Sequence, residues 1–290
     1  MTATPLPGGR LAAEIKAQVA ALAEDWRRSG RQAVLAVVVA TADESTLWYV
    51  RSLVAAADKT GIDCRLVDLG ATATEPEIAR HLDDLSADPQ VHGILLQTPL
   101  PPGIAAARLV ERIVPSKDVD GANPSSLGRL LVGQQAFAPA TARAVVELLD
   151  YHQIPLAGRH MAVVGRSAVV GKPLLHLLLH RDATVTICHS ASKPLARFTR
   201  PADIVAVAVG RPGLITADHI APDTVVVDVG TNVAEDGRLV GDVDPDTVAP
   251  VAAGLTPVPG GVGSVTTALL LLHTLDAARA SFARDAVAIS

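Results

Sequence analysis

The chain has 290 residues and a net charge of −5; hydrophobic residues make up 49% of it and aromatic residues only 2%. That length holds a large core and more than one domain. The acidic balance without a basic tract excludes a nucleic-acid surface, and the scarcity of rings excludes a base-stacking one. The two cysteines, Cys64 and Cys188, lie far apart in or beside apolar runs. They read as buried reduced thiols. Residues 1–10 lack an apolar signal core, and no apolar run is long enough to span a bilayer, so a cytoplasmic protein without a membrane partner is expected.

In chain order, residues 11–28 carry the spacing of an amphipathic helix and 33–39 form a continuous apolar strand. Residues 44–60 are helical in period and stopped by Gly61. A strand at 64–69, a helix at 75–85 and a short strand at 93–97 follow, then a helix at 105–113. Such alternation predicts an α/β fold with a mostly parallel sheet and helices on its faces. Residues 114–140 break the rhythm with Pro115, Gly121, Pro124, Gly128, Gly133 and Pro139. Long irregular loops of this kind are usually functional. A domain boundary is placed at its end, with Thr141 read as the N-cap of a helix running to about Tyr151. A second series has strands at 161–164, 184–187, 204–207 and 225–229, and a last helix at about 265–282.

The stretch Val163-Val164-Gly165-Arg166-Ser167-Ala168-Val169-Val170-Gly171-Lys172-Pro173 reads as a strand, a phosphate-cradling turn and a helix N-terminus. It is not G-x-G-x-x-G, so the turn alone is a weak signal. The next strand sharpens it. It runs into Cys188-His189-Ser190-Ala191-Ser192, with no acid to bond a ribose 2′-hydroxyl. A guanidinium and two hydroxyls, Arg166, Ser167 and Ser190, suit the 2′-phosphate of NADP instead. The candidate cofactor set is Gly165, Arg166, Ser167, Val170, Gly171, Ser190, Thr141 and Gly230. His176 and His180 share a helix face with no third ligand in view, so no metal is expected.

The Gly165–Pro173 motif resembles the cofactor motif of the bifunctional methylenetetrahydrofolate dehydrogenase/cyclohydrolases. Similar to further motifs of that family, in family order, are Ser45-x-x-x-Tyr49-Val50, Leu96-Gln97-Thr98-Pro99-Leu100-Pro101, Lys117-Asp118-Val119-Asp120-Gly121 and Pro257-Val258-Pro259-Gly260-Gly261-Val262-Gly263. The resemblance covers nearly the whole chain. It implies a substrate and catalytic domain of residues 1–140 plus about 270–290. It also implies a Rossmann-type NADP-binding domain of residues 141–269, folate bound between the domains, and a homodimer. It assigns Asp120 and Gln97 to contacts with the pterin ring and the catalytic lysine; both aspartates, Asp118 and Asp120, also suit a loop turn.

The sequence departs from the family on the substrate side. The family's tyrosine matching Tyr49 is followed four residues later by a lysine tied to cyclohydrolase proton transfer; here that position is Leu53. Changes at Ala122-Asn123-Pro124-Ser125-Ser126, Pro139-Ala140-Thr141-Ala142-Arg143-Ala144 and Ser264-Val265-Thr266 accompany it. Tyr49, Asp120, Gln97 and Leu53 are therefore the candidate catalytic positions. Three readings follow. The first is NADPH-dependent hydride transfer at a C=N carbon of a non-folate cyclic imine or iminium, with cyclohydrolase activity lost. The second is a methylenetetrahydrofolate dehydrogenase acting on folate without cyclohydrolase activity. The third is a catalytically silent NADP-binding protein.

Overall fold

The computed structural model describes residues 2–234 and 236–288, the side chains of 284–288 excepted. In chain order the strands are β1 (Thr4–Pro5), β2 (Val34–Val39), β3 (Asp63–Asp68), β4 (Gly93–Leu96), β5 (His160–Val164), β6 (Thr184–Cys188), β7 (Ile204–Val207), β8 (Val225–Asp228), β9 (Asn232–Val233), β10 (Leu239–Val240) and β11 (Gly254–Leu255). The helices are α1 (Gly9–Arg28), α2 (Glu44–Lys59), α3 (Glu75–Ala87), α4 (Ala106–Val110), α5 (Pro124–Leu131), α6 (Ala140–Tyr151), α7 (Gly171–Leu179), α8 (Ala196–Thr199), α9 (Pro245–Val248) and α10 (Val262–Ala288). The chain divides into two compact units. One comprises residues 13–140 and those from 267 onward; the other comprises residues up to 12 together with 141–266.

The first unit is built on the parallel sheet β3-β2-β4. Its middle strand is the apolar run Val-Leu-Ala-Val-Val-Val. Val34, Ala36 and Val38 pack with Ile78 and Leu82 of α3 and Leu109 of α4. Leu35, Val37 and Val39, on the opposite face, are fully buried as well. A strand buried on both faces needs side chains that are apolar at every position. Truncating a residue such as Leu82 to alanine would cost about 2–5 kcal/mol. Edge strand β3 carries Asp63, Arg65 and Asp68, and charge on an edge discourages further pairing.

The second unit is built on a six-stranded sheet, ordered β1-β11-β8-β7-β5-β6, in which every pairing is parallel. The chain runs from β5 to β6 and then returns past β5 to β7. The strand order therefore reverses between β5 and β7, where doubly wound sheets bind ligands at the carboxyl ends of their strands.

Four expectations need correction. The first twelve residues do not join the unit of residues 13–140. β1 pairs with β11, and the Leu6 amide donates to the Leu255 carbonyl at 2.9 Å. A two-residue strand is too short to show periodicity. Helix α6 starts at Ala140, so Thr141 sits inside its first turn instead of capping it. The irregular region holds α5, whose cap Asn123 accepts the Ser125 amide at 2.7 Å and whose first position is Pro124. That start signal was masked by Gly128 and Gly133. The helix expected at 105–113 shortens to α4.

Two buried acids close the second sheet. Asp228, ending β8, accepts the amides of Gly230, Asp242 and Val243, each at 3.0 Å. Desolvation pushes its pKa up to about 6. Gly241 is required here, because a Cβ would stand 1.8 Å from Asp228 Oδ2. Gly241→Ala is expected to lose about 1–3 kcal/mol through overpacking. The urea midpoint measures this, and an unchanged midpoint would contradict the packing described.

Candidate active site

The turn after β5 is folded tightly on itself. Gly165 has φ +124°, and a Cβ there would lie 2.3 Å from the Ala208 carbonyl oxygen. A Cβ on Gly171 would lie 2.1 Å from the Gly165 carbonyl oxygen. Both glycines are therefore steric requirements of the turn. The Ser167 hydroxyl oxygen accepts the Val170 amide at 3.1 Å, and the Lys172 amide donates to the Ser167 carbonyl at 3.1 Å. Val170, at the N-cap of α7, offers no side-chain cap. The turn therefore leads into the positive end of the α7 dipole.

Register brings the specificity candidates together. Val164 pairs with Cys188, and the Gly165 amide continues the ladder to the Cys188 carbonyl at 2.9 Å. Arg166 and Ser190 each follow that pair by two residues, so they stand in the loops that leave adjacent strand ends. Arg166, Ser167 and Ser190 are all exposed. The loop after β6 is held by the Ser192 hydroxyl, which accepts the His189 amide at 3.1 Å.

Gly230 has a different reason for being glycine. It is buried, and a Cβ would lie 2.3 Å from the Asp242 carboxyl carbon. The Asp242 carboxylate, which the sequence reading missed, accepts the amides of Val209, Gly210 and Arg211 at 2.6, 3.0 and 2.7 Å, and the Asn232 side-chain amide at 3.0 Å. It fixes the loop after β7 on one side of the strand-order reversal. The available signal was acids set beside glycines in apolar runs, Asp228-Val229-Gly230 and Gly241-Asp242-Val243.

On the other unit, α2 begins at Asp43, whose carboxylate accepts the Thr46 amide at 2.8 Å. Thr46, Val50, Leu53 and Ala57 form the buried stripe of this helix. Leu53 is fully buried. It belongs to the core face, although it stands one turn beyond Tyr49. Tyr49 is half-buried at the margin of that stripe, and its hydroxyl is hydrogen-bonded to the side chain of Thr267. Desolvation, with a contribution from the Asp120 charge, pushes the phenol's pKa up to about 12, so it remains a donor at neutral pH.

The loop carrying Asp120 separates two aspartates by role. Asp118 is fully buried and accepts the amides of Ala122 and Asn123 at 3.0 and 2.8 Å. It is the structural member. Lys117 caps α3, donating to the carbonyls of Leu85, Ser86 and Asp88 at 3.2, 2.8 and 2.7 Å. Asp120 is half-buried; desolvation first, and the neighbouring Asp118 charge second, push its pKa up to about 7 against one opposing amide from Ala140. Gln97 directly follows β4, its side-chain amide donating to the Thr98 carbonyl at 2.8 Å. Tyr49 and Asp120 are thus electrostatically coupled, Gln97 is turned to its own neighbour, and Leu53 serves the core. Among the described residues no cluster of three His, Cys, Asp or Glu side chains is placed to hold a metal, and no helix is long and apolar enough to cross a membrane.

A parallel doubly wound sheet with a glycine-bounded turn in one unit, and a phenol and carboxyl perturbed by burial in the other, define the class of a nucleotide-binding α/β protein. Residues 139–282 match the model of the tetrahydrofolate dehydrogenase/cyclohydrolase NAD(P)-binding domain, and residues 6–120 match that of the catalytic domain. The chain belongs to the tetrahydrofolate dehydrogenase/cyclohydrolase family. Bifunctional protein FolD 1 of Paenarthrobacter aurescens is 66% identical over 282 residues, covering 96% of this chain and 95% of its own. The bifunctional FolD methylenetetrahydrofolate dehydrogenase/cyclohydrolase of Campylobacter jejuni superposes with a TM-score of 0.91 at 38% identity, covering 96% of this chain and 99% of its own. The Trypanosoma brucei FolD enzyme, solved with NADP and an inhibitor, gives 0.91 at 35% identity over 97% and 99%. Full-length identity of this order to FolD proteins favours the folate reading over the non-folate imine, which nothing in the comparisons supports.

The Asp120 carboxyl yields a stability test. Its pKa is higher in the folded chain than in the unfolded one, so the folded state holds the proton more tightly. The resulting stability is full below the ordinary carboxylate pKa and is lost as pH rises through about 7. Asp120→Asn, neutral throughout, is expected to gain in Tm over the wild type progressively between about pH 4 and pH 7 and to hold a constant gain above that. A pH-independent difference would contradict this.

Proposed function

We propose that the chain is an NADP-dependent methylenetetrahydrofolate dehydrogenase. The observation that carries this reading is the exposed trio Arg166, Ser167 and Ser190 at the paired ends of β5 and β6, with no acid at the second end. The residues present fit the cofactor. The Gly165–Gly171 turn, closed to any Cβ, and the uncapped start of α7 would hold the pyrophosphate; the trio would hold the 2′-phosphate. Bound there, the nicotinamide supplies the hydride acceptor, or the donor in the reverse direction.

The remaining work falls to this chain's own residues. Oxidation of the one-carbon bridge leaves a delocalised cation on the substrate. Asp120, ionising near neutral pH, is suited to face it, and the protonated Tyr49 hydroxyl is suited to orient the ring. The iminium carbon is electrophilic in itself, so hydride transfer asks for orientation more than for an acid. Hydrolysis of the methenyl product differs, because water must give up a proton. Leu53 carries no titratable group where the family resemblance places a lysine. Asp120 is the group left to take that proton, and cyclohydrolase activity is weak beside the dehydrogenase.

Replacing Arg166 by alanine is expected to remove about 1.5–3 kcal/mol of preference for NADP over NAD. The ratio of kcat/KM values for the two cofactors measures it, and a wild type without preference would sink the assignment. For the second step, methenyltetrahydrofolate loss is followed with and without enzyme. Only a small enzyme-dependent rate is expected, with a partial gain in Leu53→Lys. A fast wild-type rate would overturn the hydrolytic part of the reading and leave the dehydrogenase part standing.

A further inference from the structure

Helix α10 makes two contacts with the elements that carry Tyr49 and Asp120. Thr267 is hydrogen-bonded to the Tyr49 hydroxyl. Six residues on, about 9 Å along the axis, His273 reaches the loop of Asp120. Its Nδ1 lies 2.7 Å from the Val119 carbonyl oxygen. A carbonyl only accepts, so Nδ1 carries the proton. The imidazole is fully buried and lies against the Phe137 ring, centroids 5.0 Å apart. Val119, fully buried, directly precedes Asp120, and the Ile94 amide of β4 holds the same loop through the Lys117 carbonyl at 2.8 Å.

We infer that His273 is a positioning residue for Asp120: its N–H on the Val119 carbonyl fixes the peptide that carries the Asp120 side chain, while Thr267 on the same helix fixes Tyr49. Helix α10 thereby sets the spacing of the two groups assigned to the substrate. The loop has anchors at Lys117 and Asp118, but neither holds the peptide that enters Asp120. The inference rests on the dehydrogenase reading for its enzymatic assay.

Three variants separate a hydrogen-bonding role from space filling. His273→Asn puts an amide N–H where Nδ1 stands. His273→Gln carries its N–H one bond further out, and His273→Leu fills the volume without a donor. All three replace the imidazole by a side chain that does not titrate. H273N is expected to keep kcat/KM for methylenetetrahydrofolate within about threefold, and H273Q and H273L to lose about tenfold or more, since small misplacements of a reacting group are costly. KM for NADP should hold in all three. Equal loss in H273N and H273Q, or none in H273Q, would overturn the inference. A second readout is independent of activity: the ¹³C titration of the Asp120 carboxyl, whose titratable neighbours Asp118 and Tyr49 are retained throughout. Its midpoint should match the wild type in H273N and move in H273Q and H273L; identical midpoints in all would again overturn it. A wild type inactive on methylenetetrahydrofolate with NADP would refute the functional reading alone, and the titration then decides the role of His273.

Discussion

Backbone amides in the loops beyond the strands have no ladder partner, and burying each unpaired costs about 1–3 kcal/mol. Here three buried carboxylates take them. Asp118 holds the amides of Ala122 and Asn123, Asp228 those of Gly230, Asp242 and Val243, and Asp242 those of Val209, Gly210 and Arg211. The loops beside the strand-order reversal and beneath Asp120 are held by these bonds. Burial opposes the arrangement, and it raises the pKa of Asp118 and of Asp228. Several charge-assisted bonds per carboxylate offset that penalty. Gly230 and Gly241 follow from the same geometry, since a Cβ at either would strike a carboxyl group.

Asp120 stands apart because its carboxyl is poorly served. Two residues from Asp118, it has one opposing amide against desolvation and a like charge. A carboxyl that the fold does not saturate is the one the proposed function assigns to the substrate, and its protonation falls near neutral pH. Tyr49 is the complementary case: the same desolvation drives its phenol to about 12 and keeps it a donor. Two groups shifted in the same direction by burial end as an ionisable acid and a permanent donor because they start from different ordinary values.

The sequence made legible what local chemistry determines. The strand expected at 204–207 coincides with β7, and the apolar run at 33–39 matches β2 to within one residue, because strands buried on both faces leave unbroken apolar runs. The Gly165–Gly171 turn was legible because its steric and ionic requirements lie within a few residues. What was not legible rests on contacts distant in sequence. β1 is two residues long and takes its meaning from β11. Asp242 is bonded to amides 31 to 33 residues away. His273 reaches a carbonyl 154 residues away. A histidine inside an apolar helix shows nothing in its own neighbourhood of such a partner.

Leu53 shows how one helix position can separate two chemical steps. The stripe Thr46, Val50, Leu53 and Ala57 is the core face of α2, and a leucine there completes it. An ammonium at a fully buried position would be forced towards neutrality or would need a paired carboxylate. The helix therefore gains packing where the family resemblance expects a charge. Moving a hydride to or from a one-carbon bridge depends on approach and orientation, which on the proposed reading Tyr49 and Asp120 would still offer. Adding water to the resulting cation depends on proton transfer, which a leucine cannot provide. On the proposed reading, a leucine here would be nearly silent for the first demand and costly for the second, and the two activities would part in this chain.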